Sequence, residues 1–508
     1  MKKVYVYTIE PTAISQNTFA MNSNNNFVGT LYAPKVSYYV YWYDTQWSQF
    51  EDIQPFDEPY DNFYLKGDLE LNDSTGVVQG NEGEKPDAEL GSNSGLVTDG
   101  NIDQELGDVE IEHNGTNGGS IIAGGNSSVE VDNLTFRITV TGGRWYFFCF
   151  PFDVRREDIR CENGADWVFR YYDGEERASN GKGGWKNVTS DGNGNHLKAA
   201  TGYIFQCSKS DVLILSAKNQ KIKQEKKYNE LVEHVTANMQ DASWNFVGNP
   251  YLSYYDITGD EYSAPITIWD GSKYVAIRPG DDDYVLSPFE AFFVQKPEGV
   301  NDIEYDPEQQ MTYYQMRMAA EQKAAARRTR AIDPDRLLVN ITLSDTATTD
   351  RTRVVFNNDA DMEYEINCDA AKFTTAGVPQ IYTIGNRAVK YAINERPVAE
   401  GIVTVGYTAP VQGNYTLAAP RMDVPVYLKD NRTGILHDFS EGDYTFMTEA
   451  GTFEDRFTIV MKSDATSIDK SQLINDEEAP LYNTKGQWVD EPQGQGVYIK
   501  DNRKVVKL

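Results

Sequence analysis

Neighbouring carboxylates are the residues of this chain with the clearest capacity for chemistry. They occur at Glu157-Asp158, at Glu175-Glu176 and from Asp281 to Asp283. A glycosidase needs two carboxyl groups that converge on one sugar, one of them acting as an acid and the other as a base or nucleophile. Each of these groups lies in a turn-like segment, so we interpret them as solvated loop charges.

Motifs for other catalytic chemistry are missing from the sequence. It contains no Gly-x-Ser-x-Gly elbow, no His-Glu-x-x-His helix and no phosphate-binding Walker loop. The four histidines are widely scattered and form no metal-site or triad signature. We therefore predict no catalytic residue and no cofactor.

Aromatic side chains give a stronger indication of function. The chain has 32 Tyr and 8 Trp, and aromatic residues make up 12% of it. Aromatic faces stack on sugars as well as on apolar partners, so aromatic residues that flank predicted loops are candidate ligand-binding residues. The five candidates are Trp167, Trp185, Tyr254, Tyr255 and Trp269, and Tyr171, Tyr172 and Tyr274 flank the same loops. The alternative interpretation is that most of them fill a core.

The strong negative charge restricts the classes of partner. With a net charge of −30 and a pI near 4.5, nucleic acid and anionic membranes are poor partners, because phosphate binding requires basic patches. An acidic surface by itself keeps an exported protein soluble. The alternative is that some of these acidic residues bind Ca²⁺, at Asp281-Asp282-Asp283 or at Asp359-Ala360-Asp361. Neither stretch has the pattern of an EF-hand loop.

The four cysteines do not define a metal site. Cys149, Cys161, Cys207 and Cys368 include no Cys-x-x-Cys pair, which argues against a zinc ribbon. Cys149 lies in an apolar run and is predicted to be a small buried hydrophobe. Cys161 and Cys207 could form a disulfide in an exported protein, but their spacing alone does not establish one.

The elements that must position these residues are predicted to be strands, because short aromatic and β-branched runs alternate with turn residues. We predict a mainly β fold of tandem β-sandwich domains, with one linker helix and a small C-terminal β meander. A chain of 508 residues is too long for one core. The predicted segments are a partial β-rich N-terminal segment (1–84), a region of short strands that form either solenoid-like rungs or a small meander (85–140), a β-sandwich-like domain (141–300), a helical linker (301–335), a β-sandwich domain (336–462) and a linker with a small C-terminal domain (463–508).

The C-terminal stretch has the most specific pattern. It begins with Tyr482-Asn483-Thr484-Lys485-Gly486-Gln487, continues through Gly496-Val497-Tyr498-Ile499, and ends in the basic, β-branched run Lys504-Val505-Val506-Lys507-Leu508. This pattern resembles the C-terminal sorting domain of Bacteroidetes proteins that are exported by the type IX secretion system. The alternative is the last hairpin of a β-sandwich.

That resemblance implies a location and a partner. The partner is the type IX secretion machinery, and the chain is expected to be secreted or attached to the outer-membrane surface. The residues implied to belong to the sorting signal are Gly486, Gly496, Tyr498, Lys504 and Lys507.

Two upstream regions carry related resemblances. The ordered segments Trp145–Val154, Trp244–Tyr251 and Ala291–Gln295 resemble a module that recurs in large surface and secreted proteins of Bacteroidetes. The segments Gly442–Phe446 and Asp455–Ile459 resemble the domain that often precedes a type IX sorting domain. These resemblances imply lineage and location rather than chemistry.

The N-terminus conflicts with a C-terminal export signal. Met1-Lys2-Lys3 resembles the start of a signal peptide, but the apolar run Val4–Tyr7 that follows is too short. We find no recognisable N-terminal signal peptide and expect a truncated N-terminus. No transmembrane segment is predicted.

Together these observations predict an exported, non-catalytic surface or secreted β protein. It would be adhesin-like or carbohydrate-contacting, with glycans or host surface proteins as candidate partners. The alternative is the accessory C-terminal portion of a secreted hydrolase, a glycosidase or peptidase, whose catalytic module is missing or lies in residues 1–140. A solenoid with acidic residues clustered on one face would favour that alternative. A third hypothesis is a set of spacer domains without a ligand.

Overall fold

The structure is a computed structural model in which contacts divide the chain into two compact units. Unit 1 comprises residues 1–332, 361–378 and 386–395, and unit 2 comprises residues 333–360, 379–385 and 396–508. The residues that the structure describes are 3–6, 8–9, 11, 13–14, 18–23, 26–56, 62–115, 117–188, 196–259, 262–327, 332–398, 401–461, 481–483, 488–489, 496–500 and 503–507.

Three parallel strands open unit 1. They are β1 (Lys3–Tyr5), β2 (Phe27–Pro34) and β3 (Phe50–Phe56), with the short helix α1 (Tyr38–Tyr43) between the second and the third. The apolar residues of β2 and β3 pack on Tyr41 and Trp47 in a small core of their own.

A parallel solenoid follows. Successive rungs pair Asn62 with Asp87 and Asp103 with Ser128, each 25 residues further along the chain. One parallel sheet runs β4-β6-β8-β11 and the other runs β5-β7-β10. The strands are β4 (Asn62–Leu65), β5 (Asp68–Leu71), β6 (Asp87–Leu90), β7 (Gly95–Thr98), β8 (Asp103–Asn114), β9 (Asn117–Gly118), β10 (Ser120–Ala123) and β11 (Ser128–Val140).

Stacked apolar side chains hold the rungs together. Leu65, Leu90, Ile111 and Phe136 lie opposite one another in consecutive parallel strands, and all four are buried. Such a rung cannot bury its apolar face alone, so each one depends on its neighbours. Of the two arrangements left open for residues 85–140, the structure has the solenoid, which begins earlier, at Asn62.

The rest of unit 1 is largely antiparallel. Its strands are β12 (Tyr146–Cys149), β13 (Val154–Arg155), β14 (Ile159–Cys161), β15 (Trp167–Asp173), β16 (Gly184–Asn187), β17 (His196–Leu197), β18 (Gly202–Cys207), β19 (Asp211–Lys223), β20 (Lys227–Glu230), β21 (Trp244–Gly248), β22 (Tyr254–Asp256), β23 (Ile266–Trp269), β24 (Tyr274–Ile277), β25 (Val285–Leu286), β26 (Ala291–Gln295), β27 (Asp302–Tyr305) and β28 (Gln310–Met311). Helix α2 spans Gly174–Asn180 and helix α3 spans Tyr313–Arg327.

Two four-stranded antiparallel sheets, β12-β18-β15-β16 and β21-β26-β23-β24, contribute to one aromatic cluster.

The predicted boundary between residues 140 and 141 falls inside unit 1, because β11 pairs with β19 from Ser128 to Val140 and extends the solenoid sheet. Helix α3 begins just after Thr312, whose hydroxyl donates a hydrogen bond to Asp68 on β5.

Unit 2 is built on two antiparallel ladders, β37-β36-β39-β34-β32 and β30-β29-β35-β38, whose inward side chains share one apolar cluster. The strands from residue 336 onward are β29 (Arg336–Ser344), β30 (Thr349–Asn357), β31 (Ala370–Ala371), β32 (Gln380–Ile384), β33 (Lys390–Arg396), β34 (Ile402–Ala409), β35 (Gly413–Met422), β36 (Val426–Asp430), β37 (Ile435–Asp438), β38 (Tyr444–Thr448) and β39 (Gly451–Met461). Residues 361–378 and 386–395, which include β31 and most of β33, belong to unit 1 although they interrupt the predicted second sandwich.

The C-terminal stretch forms a four-stranded antiparallel sheet. Its strands are β40 (Leu481–Asn483), β41 (Trp488–Val489), β42 (Gly496–Lys500) and β43 (Arg503–Lys507). Their order is β41-β40-β42-β43, so β42 pairs with β40 and not with β41 as in a simple meander. Gly496, Tyr498, Lys504 and Lys507 lie on β42 and β43, whereas Gly486 lies outside the described residues.

The short 3-10 helices are Trp47–Gln49, Asn81–Gly83, Arg156–Asp158, Met239–Asp241, Ile257–Gly259, Pro307–Gln309, Asn386–Ala388 and Phe439–Glu441. The prediction of a mainly β fold is confirmed. No α-helix in the described part of the chain is long and apolar enough to cross a membrane.

Candidate ligand-binding groove

Two of the five predicted ligand-binding aromatics lie in the interior. Tyr254 is 1% exposed and Tyr255 is fully buried. Their hydroxyls accept hydrogen bonds from backbone N–H groups, that of Tyr254 from Gly118 at 2.8 Å and that of Tyr255 from Asp306 at 2.9 Å. The prediction that these two residues bind a ligand is therefore wrong, because neither ring offers a face to solvent.

The three predicted tryptophans are half-buried in aromatic packing. The Arg156 guanidinium lies over the Trp167 ring, 4.5 Å from the ring centre. Trp185 meets the rings of Tyr172 and Phe246 edge-on, and Trp269 meets Tyr274 at 5.1 Å. These contacts fit the alternative that the tryptophans fill a core. The Trp269 indole N–H is itself enclosed, without a hydrogen-bond partner in the described structure.

A groove of about 630 Å³ in unit 1 presents other aromatics to solvent. Tyr171 is 40% exposed and Tyr228 is 50% exposed. The residues that line the groove are Tyr171, Tyr172, Asp173, Gly174, Glu175, Ala199, Ala200, Thr201, Tyr228, Glu230, Val232, His234, Trp244, Asn245, Phe246 and Val247. We call it the tyrosine groove.

One wall of the tyrosine groove is an extended segment with period-two alternation. Tyr228, Glu230, Val232 and His234 face the groove, because successive side chains of an extended chain point to opposite sides. The intervening Asn229 and Leu231 face the interior, and both are buried. The segment therefore presents a fixed row of four side chains.

Side-chain hydrogen bonds hold this wall in place beyond the end of β20. The Asn245 side chain accepts from the Val232 N–H at 2.8 Å and donates to the Val232 carbonyl at 2.9 Å, as a neighbouring strand would. The Asn229 amide donates to the Ala200 carbonyl at 2.8 Å and so ties the wall to residues 199–201. Satisfied buried amides of this kind rigidify a site.

Another wall of the groove is formed by the end of β15 and the start of α2. The Asp173 carboxylate caps α2 by accepting from the Glu176 N–H at 3.0 Å. The Arg177 guanidinium lies over the Trp244 ring at 4.8 Å and pairs with Asp241 at 3.2 Å. These contacts fix α2 against the floor strand β21.

Gly174 is required where α2 approaches the other wall. A Cβ at this position would lie 2.2 Å from the Trp244 carbonyl oxygen and 2.7 Å from Cδ2 of His234. The imidazole therefore packs directly on the backbone at the start of α2, which sets the width of the groove at this end.

The charges lining the tyrosine groove are mostly negative. Lys186, which lies outside the lining, pairs with Asp173 and holds the pKa of that carboxyl below its usual range. Glu175 and Glu230 are exposed, one on each wall, and no ion pair involves either of them in the described part of the chain. Each wall therefore carries one exposed tyrosine and one free carboxylate.

The outer face of the solenoid carries a second group of acidic residues. Glu89 and Glu110 lie opposite each other in adjacent parallel strands. Burial raises the pKa of Glu110; Arg137 opposes this effect, whereas Glu89 and Glu112 add to it. The Arg137 guanidinium lies 3.4 Å from Glu110 and 2.7 Å from Glu162.

The predicted Ca²⁺ sites find no support in the arrangement of ligands. Among the described residues, no group of three or more His, Cys, Asp or Glu is placed to hold a metal ion. In the first predicted stretch, Asp282 accepts from the Arg278 N–H, and in the second, Asp361 accepts from the Glu363 N–H. These carboxylates organise turns.

All four cysteines are buried and free. Cys161 and Cys207 both lie in the core that fills the solenoid and its continuation, and burial raises the pKa of Cys161 to about 11. Both are free thiols in this structure, without the disulfide that the sequence left open.

A buried acidic cluster lies elsewhere in unit 1. Asp369 is 2% exposed and accepts backbone hydrogen bonds from Glu365 at 2.9 Å and from Glu395 at 2.8 Å. The Glu395 carboxylate pairs with Arg278. Burial raises the pKa of Asp369 to about 8, and the neighbouring Glu395 and Glu365 add to this effect.

Comparison with known proteins gives one match. Residues 269–461 match the model of a protein family described as a domain of unknown function (DUF8693). The match covers less than half of the chain and does not include the tyrosine groove, whose lining ends at Val247. No curated protein and no solved structure matches this chain.

Sequence reasoning missed the wall formed by Tyr228, Glu230, Val232 and His234. The period-two alternation of these residues was the available indication, since an aromatic, an acid, an aliphatic residue and a histidine share one face. On the other wall, Glu175 was assigned to a solvated loop, and the structure shows that this exposed carboxylate borders the groove.

Proposed function

We propose that the chain is an exported, non-catalytic β protein that binds glycans in the tyrosine groove. The observation that carries the proposal is the pair of exposed tyrosines, Tyr171 and Tyr228, that line one groove. Tyrosine rings combine an apolar face for the C–H face of a sugar with a hydroxyl for hydrogen bonding. Ligand sites typically join such faces to a few fixed polar groups in a concave surface.

The groove also has the rigidity that a binding site needs. Asn245 and Asn229 fix one wall through hydrogen bonds, and Arg177 fixes the other wall on the floor. A site that is ordered before binding loses less conformational entropy when the ligand arrives. The volume of about 630 Å³ lies within the usual range for small-ligand sites.

Replacing Tyr171 or Tyr228 by Ala is expected to weaken glycan binding about fivefold for each change, because each removes roughly 1 kcal/mol of ring stacking. A glycan array identifies the ligand and titration calorimetry gives the affinity. Tyr314→Ala on α3 is the matched control, since Tyr314 is also an exposed tyrosine but lies outside the groove. Equal binding by all three variants would contradict the assignment of the site.

The export part of the proposal rests on the C-terminal sheet β40–β43. Its antiparallel strands contain four of the five residues implied in sorting. A final strand paired along Arg503–Lys507 can be recognised as a folded surface, which a frayed terminus would not offer.

Deleting residues 481–508 from the chromosomal gene is expected to abolish secretion in a host that carries the type IX system. Immunoblots of medium, cell surface and periplasm measure the distribution of the protein. The Tyr228→Ala chain, which retains the C-terminal sheet, serves as the control and is expected to be exported normally. Unchanged export of the deleted chain would refute the sorting role.

A second candidate function is favoured by the acidic face of the solenoid. Glu89, Glu110 and Glu112 cluster there, which is the feature expected if residues 1–140 belong to a hydrolase. A carboxyl whose pKa is raised can act as a general acid. This candidate is tested by incubating the chain with the same glycans and with peptides and measuring the release of products. Release of products would show that the chain is a hydrolase and would contradict the proposal of a non-catalytic binding protein.

A further inference from the structure

The charge of the tyrosine groove restricts the chemistry of its ligand. Of the residues that line it, Asp173, Glu175 and Glu230 are acidic, His234 is titratable, and none is Lys or Arg. Asp173 is neutralised by Lys186 and also serves as the cap of α2. No ion pair involves Glu175 or Glu230 in the described structure, so the groove carries an uncompensated negative charge.

The positions of these carboxylates match those of the exposed rings. Glu175 is on the same wall as Tyr171, and Glu230 is two residues from Tyr228 on the same extended segment. A cation that enters the groove therefore meets exposed carboxylates and exposed tyrosines among the same lining residues. Both groups attract an ammonium ion, whereas a carboxylate on the ligand would be repelled.

We propose that the groove selects glycans with free amino groups, namely 2-amino-2-deoxy sugars in their protonated form. This inference rests on the proposed glycan-binding function. The sugar ring stacks on Tyr171 or Tyr228, and its ammonium group pairs with Glu175 or Glu230. A neutral N-acetyl group forms no ion pair, so the carboxylates would lose hydration on ligand binding without compensation.

The decisive comparison uses two ligands that differ only in this group. Chitosan tetramer, which has free amines, and chitin tetramer, in which they are acetylated, are titrated into the intact chain at pH 6. We expect chitosan tetramer to bind at least tenfold more tightly, as one charge-assisted hydrogen bond supplies. Raising the salt concentration from 50 to 500 mM is expected to remove most of this preference by screening.

Isosteric variants identify the carboxylates that carry the preference. Glu175→Gln and Glu230→Gln are each expected to reduce the preference for the amino sugar severalfold, because each weakens chitosan tetramer binding and lowers the desolvation cost of binding chitin tetramer. Glu233→Gln is the matched control, because Glu233 is an exposed acid of the same segment that does not line the groove. A preference that survives both groove variants would overturn the inference.

The outcomes separate this inference from the function on which it rests. Equal binding of the two tetramers overturns the amino-sugar preference but retains a glycan site. Binding of tetralysine as tight as that of chitosan tetramer also overturns it, since the groove would then recognise charge without a sugar ring. Absence of binding to both tetramers and to the whole glycan array overturns the proposed function as well.

Discussion

Asp430→Ala is expected to lower the local stability of unit 2 by about 3–5 kcal/mol, because it leaves the buried Arg456 without its counter-ion. Asp430 is fully buried and Arg456 is 8% exposed, with 3.1 Å between the guanidinium and the carboxylate. The Tyr444 hydroxyl donates to the same carboxylate at 2.9 Å. Arg456 also contacts Tyr407 and the Met447 carbonyl, so its position is fixed by several groups.

Hydrogen exchange of the intact chain measures this effect, since the amides of β36 and β39 report the opening of unit 2 without requiring a two-state transition of the whole protein. Asp443→Ala removes an exposed acid of the same unit and is expected to change stability by less than about 0.5 kcal/mol. If the two variants exchange alike, the buried pair does not contribute to stability as we expect.

The same pair predicts an acid-sensitive contribution. Burial acts to raise the pKa of Asp430, but the hydrogen bonds from Arg456 and Tyr444 outweigh it and hold the pKa below its ordinary value of 3.8. A carboxyl with a lowered folded-state pKa stabilises the fold above its unfolded pKa, and this contribution is lost as the pH falls through the folded value. The difference between the wild type and Asp430→Ala is therefore expected to shrink below pH 3.8.

Asp369→Asn is expected to change the pH dependence of unit 1 in the opposite direction. The pKa of Asp369 is raised to about 8 in the folded chain from an ordinary value of 3.8. Between these two values the folded state holds a proton that the unfolded state releases. The free energy of unfolding therefore falls by about 1.4 kcal/mol per pH unit as the pH rises from about 4 to about 8, and the variant lacks this slope.

The groups around Asp369 make this slope specific to it. Glu365 and Glu395 add negative charge, whereas Arg278 is occupied by its pair with Glu395. Comparing the wild type with the variant by hydrogen exchange at pH 5.5 and pH 8.5, corrected for intrinsic exchange rates, should show a relative gain for the variant of about 3 kcal/mol at the higher pH. If the difference in stability between the two chains does not depend on pH, Asp369 is not the group that takes up the proton on folding.

At pH 5.5 the variant is expected to be the less stable chain. Both carboxyl oxygens of Asp369 accept a backbone N–H, but the side-chain nitrogen of Asn is a donor and would face one of those N–H groups. This mismatch costs about 1–2 kcal/mol. The stability of the two chains is therefore expected to cross between the two pH values.

Local patterns in the sequence predicted the strands, including the short strands of residues 85–140. The Asp/Gly/Asn turns and short β-branched runs of residues 85–140 recur because each rung of the solenoid closes in the same way. The C-terminal runs were likewise recognisable as paired strands. Their order was not, because the pairing of β42 with β40 depends on which strand edges meet and not on local propensity.

Local sequence patterns did not predict which aromatic residues are buried and which are exposed. Tyr254 and Tyr255 were predicted to flank a loop, yet both rings point inward and accept hydrogen bonds from distant backbone groups. Tyr228, which drew no attention in the sequence, is half-exposed on a groove wall. A tyrosine has the same local sequence signature in either setting, because its ring is apolar and its hydroxyl is polar.

The sequence by itself determined the mainly β fold, the short strands of residues 85–140, the strong negative charge and the lack of recognisable catalytic motifs, since these follow from composition and short-range spacing. Only the tertiary structure decided which aromatics remain exposed and which carboxylates lack a cation. The groove contains two tyrosine–glutamate pairs, Tyr171 with Glu175 and Tyr228 with Glu230. The two pairs are more than 50 residues apart from each other in the chain. They form one groove because Asn245, Asn229 and Arg177 fix both walls beside β21, and long-range contacts of this kind leave no periodic trace in a single sequence.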